Sequence, residues 1–283
     1  MPVRRHYLMT LATALLALAL AGLALYGGAL AWLWFRQETL LFAPTVLPPD
    51  QPLALAPDIH EVAIEVPGAR LSALHLRLPE PKGVVFFLHG NGGSLATWFV
   101  NPEYYRRVNF DLFMIDYRGF GKSTGKIESE AQLRSDVRAA WATVAARYAG
   151  RKVVIYGRSL GSGLAAGLSA ELSAELSASR VPDLTVLVSP YRSMAALAGD
   201  HYAWVPQAVL RYPMRTDALI DRVRSPLLLI HGERDPLIAP RHSEALKVLA
   251  PHATVLRVPG AAHNDLQDFD VYLGAFARAL LAL

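Results

Sequence analysis

Two kinds of hydrophobic pattern run along the chain after Glu61. "EVAIEV" and "LSALHLRL" alternate apolar and polar positions, as strands with one dry face do. The runs that follow are short and almost continuously apolar. They are "VVFFLHG" from Val84, "DLFMIDY" from Asp111, "KVVIYG" from Lys152, "LTVLVS" from Leu184, "PLLLIHG" from Pro226 and "ATVLRVPG" from Ala253. Such runs predict strands buried on both faces. Helical spacing separates most of them, over Glu130–Tyr148, Leu160–Ser179, Ala239–Leu249 and about Asp265–Leu281. Two antiparallel strands followed by alternating strand and helix predict an α/β fold. Its sheet is mostly parallel and eight-stranded, with helices on both faces. A near-repeat, "LSAELSAELSAS", puts Leu168, Leu172 and Leu176 on one face of the second helix. The stretch from Ser189 to Arg224 breaks the rhythm. An insert between two core strands belongs over the carboxyl ends of the sheet, so 190–224 is expected to form a short cap.

The N-terminus follows a different pattern. Residues 8–35 carry no charge and exceed the roughly 20 apolar residues that cross a bilayer core. A cleaved signal peptide has an apolar region of about 7–15 residues, so length favours an uncleaved transmembrane helix. Tyr26, Trp32, Trp34 and Phe35 crowd its far end, where aromatic rings suit the headgroup layer. Arg4 and Arg5 keep residues 1–7 cytoplasmic by the positive-inside rule. The rest of the chain then lies on the far side, periplasmic or extracellular. Arg36 on the far flank opposes this orientation slightly. Residues 36–60 hold five prolines and are expected to form a tether, with residues 61–283 as the globular domain.

Composition narrows the chemistry. The 283 residues include no cysteine, which removes disulfides, thiolate nucleophiles and cysteine-based zinc sites and leaves the redox compartment open. The net charge of +4 comes from scattered basic residues with no aromatic-interleaved stripe, so no nucleic-acid partner is expected. The histidines show no H-E-x-x-H pattern and no close pair on one helix, so no metal and no cofactor are expected. His89 and His231 each precede a glycine at a strand end and read as structural. "GFGKST" imitates a phosphate-binding loop, but position 116 is aspartate where that motif needs glycine. Asp116 is expected to bond nearby backbone or Arg118, and Asp136 to be surface or structural.

One stretch carries a reaction. In "VVIYGRSLGSG", Ser159 stands between Gly157 and Gly161, at the junction of a predicted strand and a predicted helix. That is the sequence of a nucleophile elbow, a sharp turn that lifts a hydroxyl clear of the sheet. A serine needs a base, and the base needs an orienting group. Asp235 in "HGERDPLIAP" and His263 in "GAAHND" follow in the order Ser, Asp, His, each just beyond a strand. Glu233 lies closer to its strand, and Asp265 is expected to start the last helix. The oxyanion donors are expected at the N–H of Leu160 and, in "LHGNGGS", the N–H of Asn91, with Gly92 next. Gly90, Gly92 and Gly93 let that backbone come close. An imidazole must be neutral to take the serine proton, so activity is expected to fall in acid.

Together, "HGNGG", "DYRGFGKSTG", "GRSLGSG", "HGERDPLIAP" and "GAAHND" resemble the α/β-hydrolase superfamily, from about Leu40 to the C-terminus. The branch resembled is the membrane-anchored serine hydrolases related to α/β-hydrolase-domain proteins, which include protein depalmitoylases. The resemblance implies Ser159 as nucleophile, His263 as base and Asp235 as its orienting acid. Ser162 stands where the family often has another small residue. The anchor and the apolar cap favour a lipid-like ester or thioester with an apolar acyl chain, contacted by Tyr191, Tyr202 and Trp204. Those aromatics serve equally as a small core for the cap. An aminopeptidase-like amide hydrolase is the alternative, with Asp200, Asp217 or Asp221 holding the substrate amine. A catalytically silent membrane scaffold is the other.

Overall fold

The computed structural model describes residues 2–53, 55–174 and 181–283. Its first element, α1 (Pro2–Leu41), is a single 40-residue helix. Within it, His6–Leu41 is long and apolar enough to cross a membrane, with a mean hydropathy of 2.3. The helix runs past residue 35, into the stretch expected to be a tether. Arg36, Gln37, Glu38, Leu40 and Leu41 are straight-chain helix formers that propagate it, and Pro44 lies just beyond its end. Its last turns lie against the insert. Ala29, Leu30 and Leu33 are half-buried and Gln37 is buried.

Among the described residues, the main sheet has eight strands: β1 (Ile59–Val66), β2 (Ala69–Leu76), β3 (Gly83–Leu88), β4 (Phe110–Ile115), β5 (Lys152–Arg158), β6 (Leu184–Val188), β7 (Leu227–Gly232) and β8 (Thr254–Val258). Their spatial order is β1-β2-β4-β3-β5-β6-β7-β8. β2 is antiparallel to both β1 and β4, and every other pairing is parallel. β3, β4 and β6 are buried at every residue, as their continuous apolar runs require. β8 differs from expectation. As the outer strand it has one neighbour, and Thr254 through Arg257 are exposed or half-buried.

Among the described residues, seven helices follow α1: α2 (Leu95–Trp98), α3 (Pro102–Val108), α4 (Glu130–Ala145), α5 (Leu160–Ala174), α6 (Met194–His201), α7 (Arg241–Leu249) and α8 (Asp270–Leu281). A core built on Leu133, Trp141, Leu164, Leu168, Leu172 and Leu246 packs α4, α5 and α7 on one face of the sheet. Leu176 and the end of the second predicted helix lie outside the described residues. A second core, with Tyr104, Tyr105, Val108, Tyr272, Phe276 and Leu280, packs α3 and α8 on the other face. The last helix begins at Asp270 rather than Asp265, because a short 3-10 turn, Leu266–Asp268, comes first. The insert holds α6 and three 3-10 turns, and its Tyr212, Met214 and Ile220 join the α5 side.

Candidate active site

β5 sits in mid-sheet between β3 and β6, and its end leads straight into Ser159 and α5. The turn is strained, since Ser159 has φ +53, a left-handed conformation that a non-glycine residue seldom adopts. Its N–H donates to the Val188 carbonyl at 2.9 Å, and its own carbonyl accepts from the Ser162 hydroxyl at 2.6 Å. Ser162 therefore buttresses the turn. The flanking glycines are steric necessities. A Cβ at Gly157 would lie 2.2 Å from the Gly161 carbonyl oxygen, and one at Gly161 would lie 2.0 Å from that of Leu88.

The loops after β7 and β8 bring Asp235 and His263 to this turn. His263 Nε2 is 3.0 Å from Ser159 Oγ, and His263 Nδ1 is 2.7 Å from Asp235 Oδ2. A carboxylate only accepts, so Nδ1 carries the proton and Nε2 is left to accept from the serine. The N–H groups of Leu237 and Ile238 donate to Asp235 Oδ1. Burial works to raise the Asp235 pKa. The polar contact with His231, whose Nε2 lies 3.5 Å from Oδ2, and the hydrogen bonds from His263 and the Ile238 amide outweigh it and hold the carboxyl well below its usual range. Glu233 is exposed, and Asp265 accepts from the Ala262 N–H to shape the loop that carries His263.

The glycine loop after β3 lies beside Ser159. A Cβ at Gly90 would sit 3.6 Å from the Ser159 Cβ. His89 Nδ1 hydrogen-bonds the Gly90 carbonyl at 2.7 Å. The peptide is trans and planar, so turning that C=O toward His89 turns the Asn91 N–H the opposite way. The next peptide is fixed from outside. Ala43 N donates to Asn91 O at 2.8 Å and Thr45 N to Gly93 O at 2.8 Å, and Ala43–Pro44 form a short parallel ladder with Gly92–Gly93. Asp116 accepts from the Leu95 N–H, holding the start of α2. Among the described residues, the N–H groups of Leu160 and Asn91 have no acceptor in the protein.

The arrangement can therefore do acyl transfer. It offers a hydroxyl with a base on it, an anion behind the base, and amides next to the hydroxyl where negative charge would develop.

The three expected substrate contacts have the following neighbours. Tyr191 is fully buried, and its hydroxyl donates to the Leu160 carbonyl at 3.1 Å. Tyr202 and Trp204 are 58% and 50% exposed. Trp204 faces the N-terminal helix: the Tyr26 hydroxyl donates to its carbonyl at 2.9 Å, and the two rings meet edge to face. Aromatic content marked the insert as apolar, but it carried no sign of which neighbour each ring would meet. Arg118 is likewise bound not to Asp116 but to buried Asp136, at 2.6 and 2.9 Å. Two residues near the site were not singled out. Arg158 was visible only as the residue before the serine, and Trp98 had no signal at all. The Arg158 guanidinium donates to the His263 carbonyl at 2.9 Å and lies 5.6 Å from the Trp98 ring centroid.

Strand order, elbow and helix layers define the class, and comparison with known proteins agrees: the chain belongs to the α/β-hydrolase family. Residues 79–208 match the family described as serine aminopeptidase, S33. Human alpha/beta hydrolase domain-containing protein 17B is 32% identical over 217 residues, 73% of this chain and 69% of that protein. An uncharacterized protein of Mycobacterium tuberculosis is 30% identical over 267 residues, 89% of this chain and 90% of the relative. A Pyrococcus furiosus esterase shares the fold with a TM-score of 0.64 at 20% identity, over 84% of this chain and 98% of that one.

Proposed function

We propose that the protein is a membrane-anchored serine hydrolase that cleaves ester or thioester bonds of apolar acyl substrates. The observation that carries this reading is the unbroken series Ser159 Oγ, His263 Nε2, His263 Nδ1, Asp235 Oδ2, with links of 3.0 and 2.7 Å. In the reaction, Ser159 Oγ attacks the acyl carbonyl as its proton passes to His263 Nε2. The Leu160 and Asn91 amides receive the oxyanion. His263 then protonates the leaving group, and a water that it deprotonates releases the acid from the acyl-enzyme. Asp235 stays ionised throughout and stabilises the imidazolium.

Anchoring rests on α1. Its C-terminal turns are occupied by contacts with the insert, which begin at Tyr26. The part left free, His6 to Leu25, is about 30 Å of helix, the thickness of a bilayer core. Arg4 and Arg5 favour a cytoplasmic N-terminus and a catalytic domain on the far side.

Amide hydrolysis by aminopeptidase-like recognition has the family match in its favour. It needs a free carboxylate for the substrate amine. Asp200 is bound to Arg241 and His242, and Asp217 to Arg215, which leaves the exposed Asp221 as its candidate.

The test is fluorophosphonate labelling of the detergent-solubilised full chain and its Ser159→Ala variant, followed by turnover of acyl esters against aminoacyl amides. The expected result is labelling that disappears in the variant, with preference for esters. Equal labelling of both proteins would overturn Ser159 as the nucleophile, and preference for amides would overturn the ester reading.

A further inference from the structure

A cavity of about 550 Å³ lies on the α3/α8 face of the sheet, the face opposite the insert. It is within the size range of small-molecule pockets, about 300–1,000 Å³. It borders the candidate active site, although Ser159 and His263 are not themselves among its lining residues. Arg158 precedes the nucleophile, Asn264 follows the histidine, and Asn91 carries an expected oxyanion donor; all three line the cavity. Trp98, another lining residue, packs on Gly90, which is also the close neighbour of Ser159.

The polarity of the wall is graded. The exposed lining residues are polar: Asn91, Thr97, Asn101, Asn264 and Gln267, with only Val100 apolar among them. The buried ones are aromatic or aliphatic, among them Phe87, Tyr104, Leu112, Met114, Tyr156 and Phe276. Three of the four buried tyrosine hydroxyls are already used. Tyr156 and Tyr272 bond each other at 2.6 Å, and Tyr104 donates to the Leu273 carbonyl at 3.0 Å, which leaves the Tyr105 hydroxyl. With most of those polar atoms paired, the interior presents mainly ring faces and methyl groups, a surface that recognises hydrocarbon.

We propose that this cavity holds the acyl chain of the substrate, with the scissile carbonyl at its polar mouth and the chain running between α3 and α8, away from the insert. The proposal rests on the ester reading above and adds where the chain lies and which residues set its length. Leu273 is the measuring point. It is half-buried, lines the cavity from α8, and its side chain takes no part in the hydrogen bonds around it.

The experiment is a chain-length profile of p-nitrophenyl esters, acetate to palmitate, for the detergent-solubilised full chain and for Leu273→Trp and Leu273→Ala. Fluorophosphonate labelling and thermal midpoint check each variant's fold. In the wild type, kcat/KM is expected to climb by about fourfold per added methylene until the cavity is full. Leu273→Trp, which fills the cavity, is expected to move the optimum to shorter chains. Leu273→Ala is expected to move it to longer ones. A defect that merely damaged the fold would lower all lengths together. Variants that keep labelling and retain the wild-type optimum would overturn the proposal, as would a shift of the optimum in Tyr202→Ala or Trp204→Ala. Failure of the wild type to hydrolyse any ester would instead bring down the ester reading, and this proposal with it.

Discussion

The backbone N–H of Ala43 donates to the carbonyl oxygen of Asn91, 2.8 Å away. One residue is the second beyond the N-terminal helix, and the other sits in the glycine loop beside Ser159. This bond and the one from Thr45 to Gly93 make the segment leaving the helix part of the wall behind the expected oxyanion donors. Ala43→Pro removes the donor, since proline has no N–H. The loop would keep its sequence but lose a brace. Removing an oxyanion donor outright costs about 10²–10³ in kcat, so a misaimed one is expected to cost about tenfold. Steady-state kinetics should show the loss in kcat with KM nearly unchanged. Ala43→Gly keeps the N–H and should behave as wild type. Equal kinetics in all three proteins would show that the loop holds its own shape.

The same end of the helix grips the insert. Buried Gln37 donates from Nε2 to the Val209 carbonyl at 3.0 Å, and its Oε1 accepts from the Arg211 N–H at 2.7 Å. Glu38 accepts from the Tyr212 hydroxyl at 2.9 Å. Gln37→Ala strands two backbone groups, at about 1–3 kcal/mol for a buried polar group left without a partner. Hydrogen exchange at residues 209–213 should speed up, and the thermal midpoint should fall. Unchanged exchange there would mean that the insert is held independently of the helix.

The core strands were legible because each is a short apolar run bounded by turn residues, whereas their order across the sheet was not. Ser159 stood out because a sharp strand-to-helix turn needs glycine on both sides, and 2.0–2.2 Å clashes show why nothing larger fits. Asp235 and His263 were legible from their positions just beyond strands, and the structure brings both to the serine. The pairing of Ala43 with Asn91 was not legible, because a backbone hydrogen bond leaves no side-chain signature. The roles of Tyr191, Tyr202 and Trp204 were not legible, because an aromatic ring satisfies a core, a helix contact or a substrate pocket equally well. The cavity was invisible for a related reason. Its lining is drawn from strands, helices and loops that meet only in three dimensions.

Arg118 and Asp136 form a buried ion pair, with the guanidinium also donating to the Pro67 carbonyl at 2.8 Å. It ties the β1–β2 turn to α4. Asp136→Ala leaves a cation buried without its partner and is expected to cost about 3–5 kcal/mol. The pair itself stabilises far less than that, because both charges were taken out of water. Arg118→Met combined with Asp136→Leu should therefore recover much of the loss. Unfolding free energies of the single and double variants check this. A double variant no more stable than Asp136→Ala would mean that the pair contributes net stability.

A second buried network sets an acid limit on the fold. His75 Nδ1 accepts from Arg77 Nε at 3.0 Å, so Nε2 carries the proton and donates to the Tyr148 hydroxyl at 2.6 Å. That hydroxyl donates to Asp111 Oδ2 at 2.6 Å, while Asp111 Oδ1 accepts from the Leu78 N–H. Burial, reinforced by the charges of Arg77, Arg147 and His60, pushes His75 down to about 3. An unfolded histidine titrates near pH 6.5. Between those values the unfolded chain binds a proton that the folded one refuses. Stability from this residue is therefore complete above about pH 6.5 and is lost as pH falls toward 3, at about 1.4 kcal/mol per pH unit. Asp111, raised by burial, works in the opposite direction. His75→Gln keeps an amide to hydrogen-bond with but removes the titration. Between pH 7 and pH 4.5 the wild type should lose about 2–3 kcal/mol more than the variant in unfolding free energy. Parallel curves for the two proteins would show that His75 takes up its proton in the folded state.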